Sequence, residues 1–142
     1  MELQHDAIDK IYLRIEKLKE YRTTLESLQN ITLVELQKDP IKRGAIERYL
    51  QLAIEACIDI AELVISDQRL PTPATAKEAL EIIGKEGIID NDFATRFSKA
   101  AGFRNILIHD YVEIDYDQLL HNLKENLSDF HTFIKSILSF LT

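Results

Sequence analysis

Cysteine is nearly absent from this chain of 142 residues, which has a single cysteine, Cys57, and so cannot form a disulfide within itself. The sequence also lacks Cys and His residues clustered at metal-ligand spacing, and we therefore expect neither a metal site nor another cofactor. A lone thiol inside an apolar run is typical of a protein kept in a reducing compartment. These absences predict a cytoplasmic protein without cross-links.

Long apolar runs are absent as well. The first twenty residues contain no basic segment followed by an apolar one, so no signal peptide is expected there. The most apolar stretch, residues 53–66, is shorter than a bilayer span and carries three acidic residues. No membrane association is therefore expected. The length is typical of one domain, and we expect residues 1–142 to form it.

Positive charge is in deficit, because 17 Lys and Arg residues stand against 24 Asp and Glu residues and the formal net charge is −7. A protein that coats nucleic acid nonspecifically needs basic residues to neutralise the phosphates. The charge balance therefore argues against broad nucleic-acid binding. It still allows a narrow basic cleft or a basic partner.

Glycine, proline and tryptophan are scarce, with four, three and none, and this composition is typical of helical proteins. Apolar residues recur at helical spacing in five segments, and no segment alternates apolar and polar residues as a strand does. We predict an all-α fold in which four long helices and one short helix pack as an up-and-down bundle. The predicted segments are approximately Asp6–Asn30, Pro40–Ser66, Thr75–Lys85, Asp90–His109 and Tyr116–Leu141.

The fourth segment carries a charge inside its apolar stripe. On an ideal helix through this segment, Arg104 falls in the middle of the apolar residues. A guanidinium keeps its proton, and burying it unpaired is costly. We therefore expect Arg104 to face either a carboxylate, for instance Asp59 or Glu55 of the second segment, or an anionic ligand.

Three more polar side chains follow Arg104. Asn105 and His109 lie one helical turn apart, and Tyr111 returns to the line of Arg104 if the helix continues that far. Arginine binds phosphate and stabilises the charge that develops on it, while histidine titrates near neutral pH and transfers protons. The set suits cleavage of a phosphodiester without a metal. From the spacing alone a structural ion pair of Arg104 is favoured, as in a plain helical dimer, and the residues by themselves leave the function open.

The residues from Arg104 to Tyr111 match the pattern R-N-x3-H-x-Y, and in this the chain resembles the HepT-like proteins of the HEPN superfamily. A second stretch, Glu47–Ala56, reads ERYLQLAIEA and resembles the second helix of that family. Together with the order and lengths of the segments, the similarity covers nearly the whole chain. The resemblance implies a HEPN-type helical bundle that forms a homodimer.

The same resemblance implies a function, that of the toxin in a HEPN/MNT toxin–antitoxin pair, which is a metal-independent endoribonuclease that cleaves tRNA or mRNA. By position, Arg104 would bind and polarise the phosphate, His109 would be the acid–base group, and Asn105 would orient the histidine or the substrate. The antitoxin of such a pair is a minimal, MntA-like nucleotidyltransferase that transfers AMP to the tyrosine of the motif, here Tyr111. The alternative is a noncatalytic HEPN companion of a nucleotidyltransferase that binds a nucleotide or substrate.

Overall fold

In a computed structural model, which describes residues 5–109 and 113–142, the chain is built from α-helices. No strand occurs within these ranges, which confirms the predicted all-α fold. The helices are α1 (His5–Glu26), α2 (Leu33–Lys38), α3 (Pro40–Asp67), α4 (Ala76–Lys85), α5 (Asn91–Phe97), α6 (Ala100–His109) and α7 (Tyr116–Leu141). None of the helices described combines the length and apolar character that a membrane span requires.

Local capping signals set the starts of two helices. Pro40 occupies the first turn of α3, where its missing N–H costs no hydrogen bond. The side chain of Asp39 accepts hydrogen bonds from the backbone N–H groups of Ile41 and Lys42, at 3.1 and 3.0 Å. Thr75 caps α4 in the same way, by accepting from a backbone N–H three residues later. These helix starts therefore follow directly from the local sequence.

Helix α3 is the centre of the fold and packs against α1, α2, α4, α6 and α7. Leu50, Ile54 and Ile60 are fully buried, and residues on several sides of the helix join the core. Cys57 is also fully buried there and unpaired, as expected from its apolar surroundings. Because α6 packs directly on α3, the segment that carries Arg104 rests on the central helix of the fold.

The predicted fourth helix is divided in two, which corrects the prediction of one continuous helix through Asp90–His109. A turn at Ser98 and Lys99 separates α5 from α6. Phe97, the last residue of α5, packs on two rings of α7, with centroid distances of 6.2 Å to Phe130 and 5.8 Å to Phe133. Phe97 therefore joins the end of α5 to α7, and α5 also packs on α4.

The helix lengths differ from the prediction in one further respect. The short helix α2, closed by a capping box between Thr32 and Glu35, lies in a region that was predicted to be a connection. The described residues thus form three long helices and four short ones, where four long and one short were predicted. The bundle itself, with long helices packed on α3, is as predicted.

Candidate active site

Arg104 lies on the buried side of α6. Helix geometry places it between Ala101 and Leu107, both of which are buried. The Arg104 side chain is half-buried, and its Nε atom is buried without a hydrogen-bond partner among the residues described. The aliphatic part of the side chain therefore packs in the apolar stripe, and the guanidinium reaches toward the surface.

No carboxylate pairs with Arg104 in the described ranges, since none has an oxygen within 4 Å of its guanidinium. Asp59 is near enough to respond to its charge and is itself ion-paired with Arg14 at 3.8 Å. Burial raises the pKa of Asp59, while the charges of Arg14 and Arg104 lower it and that of Glu55 raises it. Glu55 instead accepts a hydrogen bond from Gln51 at 3.1 Å. The expected structural pair is thus not formed, and the guanidinium keeps hydrogen-bonding capacity for an anion.

Asn105 is the side chain that contacts Arg104. The Nη2 atom of Arg104 donates a hydrogen bond to Oδ1 of Asn105 at 2.9 Å, at the surface of the protein. Only one terminal nitrogen is used in this contact, so it orients the plane of the guanidinium and leaves other N–H groups available. The structure therefore gives Asn105 a positioning contact with the arginine.

His109 is the last residue of α6 and is exposed. It lies one turn from Asn105 but about 140° around the helix from Arg104, and about 7.5 Å further along the axis. No contact joins His109 to Arg104 or Asn105 among the described atoms. Tyr111, the fourth residue of the motif, lies outside the described residues. Within one chain, α6 therefore presents the arginine and the histidine on different sides.

A cavity of about 250 Å³ lies between α1 and α3 and is lined by Asp59 together with Arg14 and Lys17. These two basic residues are three positions apart on α1 and add positive charge close to the carboxylate that Arg104 influences. Sequence reasoning did not single out Arg14, because nothing in its local pattern relates it to the motif almost a hundred residues later. Only the packing of α1 on α3 brings the two regions together.

The described residues contain no group of three or more His, Cys, Asp or Glu side chains arranged to hold a metal ion. Comparison with known proteins finds relatives of this chain among ribonucleases. A family model described as "Ribonuclease HepT-like" matches residues 11–137. The chain is 34% identical to an mRNA nuclease HepT of Shewanella oneidensis over 88 residues, which are 62% of this chain and 66% of that protein. It is 29% identical to a tRNA nuclease HepT of Aphanizomenon flos-aquae over 131 residues, 92% of this chain and 89% of the relative.

A solved structure shows the same fold. It contains the tri-AMPylated HEPN toxin of Shewanella oneidensis in complex with an MNT antitoxin. The TM-score is 0.82 at 26% sequence identity, and the superposition covers 91% of this chain and 96% of that chain. The predicted HEPN-type bundle and the resemblance based on the R-x4-H-x-Y pattern are thereby confirmed.

Proposed function

Because the chain belongs to the ribonuclease HepT-like family, we propose that it is the toxin of a HEPN/MNT toxin–antitoxin pair and a metal-independent endoribonuclease. One observation carries the proposal for the site itself. Arg104 lies on the apolar side of α6 with a buried N–H that no described residue satisfies, next to Asn105 and five residues before the exposed His109 of the same helix. A phosphate oxygen would satisfy this guanidinium with a charge-assisted hydrogen bond.

The proposed reaction transfers the phosphoryl group from the 5′-oxygen of one nucleotide to the 2′-oxygen of the preceding ribose. A histidine removes the proton of the 2′-hydroxyl, and the 2′-oxygen attacks phosphorus. The bond from phosphorus to the 5′-oxygen breaks, and that oxygen receives a proton from an acid. Arg104 stabilises the negative charge that builds up on the non-bridging oxygens. The products are a 2′,3′-cyclic phosphate and a 5′-hydroxyl, and no step requires a metal.

We further propose that the active unit is a homodimer. Within one chain His109 lies about 140° around α6 from Arg104, so a single helix is poorly arranged to hold both groups on one phosphate. If α6 of one chain faces α6 of its partner, the cleft contains two arginines and two histidines. One His109 can then act as the base and the other as the acid.

The proposed partner is an MNT-type nucleotidyltransferase antitoxin that transfers AMP to Tyr111. The related toxin that is AMPylated and bound to an MNT antitoxin supports this assignment. Each AMP adds a negative phosphate, which would repel RNA and compete with it for Arg104. The two nuclease relatives act on mRNA and on tRNA respectively, so the proposed substrate class is RNA. The proposed location is the cytoplasm, where such RNAs and the nucleotide donor occur together.

The test compares induced expression of the wild-type chain with Arg104→Ala and His109→Ala. Arg48→Ala and His5→Ala are matched controls, because both residues are exposed and lie far from the motif in the sequence. We expect growth arrest from wild type and both controls, and none from the two motif variants. The purified wild-type protein should cleave RNA in the presence of EDTA and leave 2′,3′-cyclic phosphate ends.

Two results would contradict the proposal. Cleavage that survives His109→Ala would remove the histidine from the mechanism, and cleavage abolished by EDTA and restored by a divalent ion would remove metal independence. Folded protein that binds nucleotide through Arg104 but cleaves no RNA would instead identify the noncatalytic companion of a nucleotidyltransferase.

A further inference from the structure

A second and larger groove lies along α6, between the α5–α6 turn and α7, with a volume of about 500 Å³. This volume is within the range of small-molecule sites in proteins. Phe103 and Ile106 of α6 form an apolar wall, and the amide side chains of Gln118, Asn122 and Asn126 of α7 face the same space. The groove therefore combines a flat apolar side with several neutral hydrogen-bonding groups.

The groove spans more than one side of α6, because Ala100 and Phe103, which line it, lie about 180° and 120° around the helix from His109, and His109 is not itself a lining residue. Gly102 and Ile106 also line it, and His109 follows them by seven and three residues, within about 60° around the helix. His109 is therefore about one turn beyond Ile106 along the helix. Gln118, in the first turn of α7, lines the groove as well. The groove thus leads along α6 toward the proposed acid–base group.

Asn126 is the feature that points to a ligand. Its side chain lines the groove, the residue is only 4% exposed, and its Nδ2 atom is buried without a hydrogen-bond partner among the described residues. Buried polar groups in folded proteins are nearly always hydrogen-bonded, because leaving one unsatisfied is costly. Because Nδ2 itself has no accessible surface, the amide has to turn about its terminal torsion to present this N–H to the groove, where an acceptor such as a carbonyl oxygen or a ring nitrogen would supply the missing partner.

Two basic residues, Arg96 and Lys99, and two acidic residues, Glu125 and Asp129, line the groove, so its fixed charges balance. Asp129 is nearly buried and ion-paired with Arg96 at 2.7 Å, and Glu125 lies 3.0 Å from His121. Lys99 also lines the groove, is exposed, and has no ion pair among the residues described. Lys99 is therefore a cation at the groove that no carboxylate of the described residues contacts directly, and it is available to a phosphate.

We propose that this groove binds one nucleotide of the RNA substrate next to the scissile phosphate and determines sequence preference at that position. The base packs on Ile106 and Phe103, Asn126 donates to an acceptor on its edge, and Lys99 attracts its phosphate. The inference rests on the proposed ribonuclease function and deepens it, because it adds a binding site for a base to the cleaving groups Arg104 and His109. Apolar packing with a few amide contacts is how single-stranded RNA bases are read by proteins.

The first test measures binding without cleavage, in the His109→Ala background, by fluorescence anisotropy with short labelled RNAs. Asn126→Leu removes the amide at similar size, and we expect it to weaken binding about three- to tenfold. Its melting temperature should stay the same or rise, because an unsatisfied buried amide is removed. Unchanged affinity in the Leu variant, or a large fall in melting temperature as the only effect, would overturn the inference.

A charge-matched pair isolates the role of Lys99. Lys99→Ala removes a cation in the groove, whereas Lys124→Ala removes one from an exposed position of α7 that does not line it. Both variants lose one positive charge, so a general electrostatic effect would weaken RNA binding equally. We expect weaker binding only for Lys99→Ala, and equal effects would count against the groove.

The second test maps cleavage sites in a randomised RNA by the active protein and by Asn126→Asp, which keeps the shape and replaces a donor with an acceptor. We expect the base preference at one position beside the cut to change. A wild-type chain that cleaves no RNA would refute the proposed function, and the groove would then be judged by the anisotropy result alone. If Asn126→Leu weakens binding to the antitoxin and leaves RNA binding intact, the groove is a protein-docking surface and the inference is wrong.

Discussion

Replacing Arg104 with methionine should leave the fold as stable as before, or more stable, while abolishing RNA cleavage. The guanidinium lowers the stability of the ligand-free protein, because its buried Nε–H has no hydrogen-bond partner among the described residues. Methionine keeps the unbranched apolar stem that packs between Ala101 and Leu107 and removes the polar end. The perturbation therefore separates packing from charge.

The magnitude follows from three contributions. Removing an unsatisfied buried N–H gains up to about 1–3 kcal/mol. The exposed hydrogen bond to Asn105 and the screened attraction to Asp59 are lost, and each is worth about 0–1 kcal/mol. The contributions sum to a net change between about −1 and +3 kcal/mol, with a central value of about +1 kcal/mol. For a chain of this length, the central value is a rise in melting temperature of roughly 3–4 °C.

The assay is thermal and urea unfolding of Arg104→Met beside Arg96→Met. Arg96 is the matched control, because it forms a 2.7 Å ion pair with the nearly buried Asp129. Removing Arg96 leaves that carboxylate buried without its ion-pair partner. We expect Arg96→Met to cost about 1–3 kcal/mol. A loss of more than about 1 kcal/mol in Arg104→Met would refute the reasoning, since it would mean that the guanidinium forms a structural pair. The cleavage rate of Arg104→Met should fall roughly 100- to 1000-fold.

Two further predictions concern the scaffold that holds α6. Gly84→Ala should lower the free energy of unfolding by about 1–3 kcal/mol, because a Cβ there would overlap the Cβ of Ala94 where α4 meets α5. Gly44→Ala is the control, since open space surrounds Gly44, and it should raise the free energy of unfolding by about 0.5–1 kcal/mol. Equal melting temperatures of the two variants would contradict this prediction. Burial raises the pKa of Asp129 more than the hydrogen bond and charge of Arg96 lower it. The folded chain therefore retains a proton that the unfolded chain has already lost, so stability should decline as pH rises from the usual Asp pKa to this raised one. Asp129→Asn should flatten that part of the unfolding profile, and an unchanged slope would show that other groups cause it.

Much of the bundle was predictable because its helix ends carry local signals. The predicted start of the second segment at Pro40 and the predicted bounds Tyr116–Leu141 agree with α3 and α7, since Asp39 and Asp115 cap these helices through their own side chains. The turn at Ser98 has neither proline nor glycine to announce it. Phe97, directly before the turn, packs on two rings of α7, and such a long-range interaction cannot be read from the periodicity of the segment.

Arg104 could be predicted from the sequence, whereas the groove between α6 and α7 could not. Arg104 could be found because a charge within an apolar stripe is a local anomaly, and its burial on α6 agrees with that expectation. The structure does not test the assigned roles of Arg104, Asn105, His109 and Tyr111, which stay predictions. The groove could not be predicted, because its walls come from residues of two helices, α6 and α7, that are not adjacent on one helical surface. The unsatisfied amide of Asn126 becomes evident only when its burial is known.

Different residues of α6 allow one short helix to serve two different binding functions. α5 contacts α7 through Phe97, and α6 packs on α3 with Arg104 on its buried side. Other residues of α6, among them Gly102 and Ile106, line the larger groove beside α7. His109 lies at the end of α6, about 140° around the helix from Arg104. A phosphate bound by Arg104 of one chain could therefore be approached by His109 of its partner, while a neighbouring base occupies the groove that leads to that histidine. Such local contacts, unlike a broad basic surface, are compatible with RNA cleavage by an acidic chain.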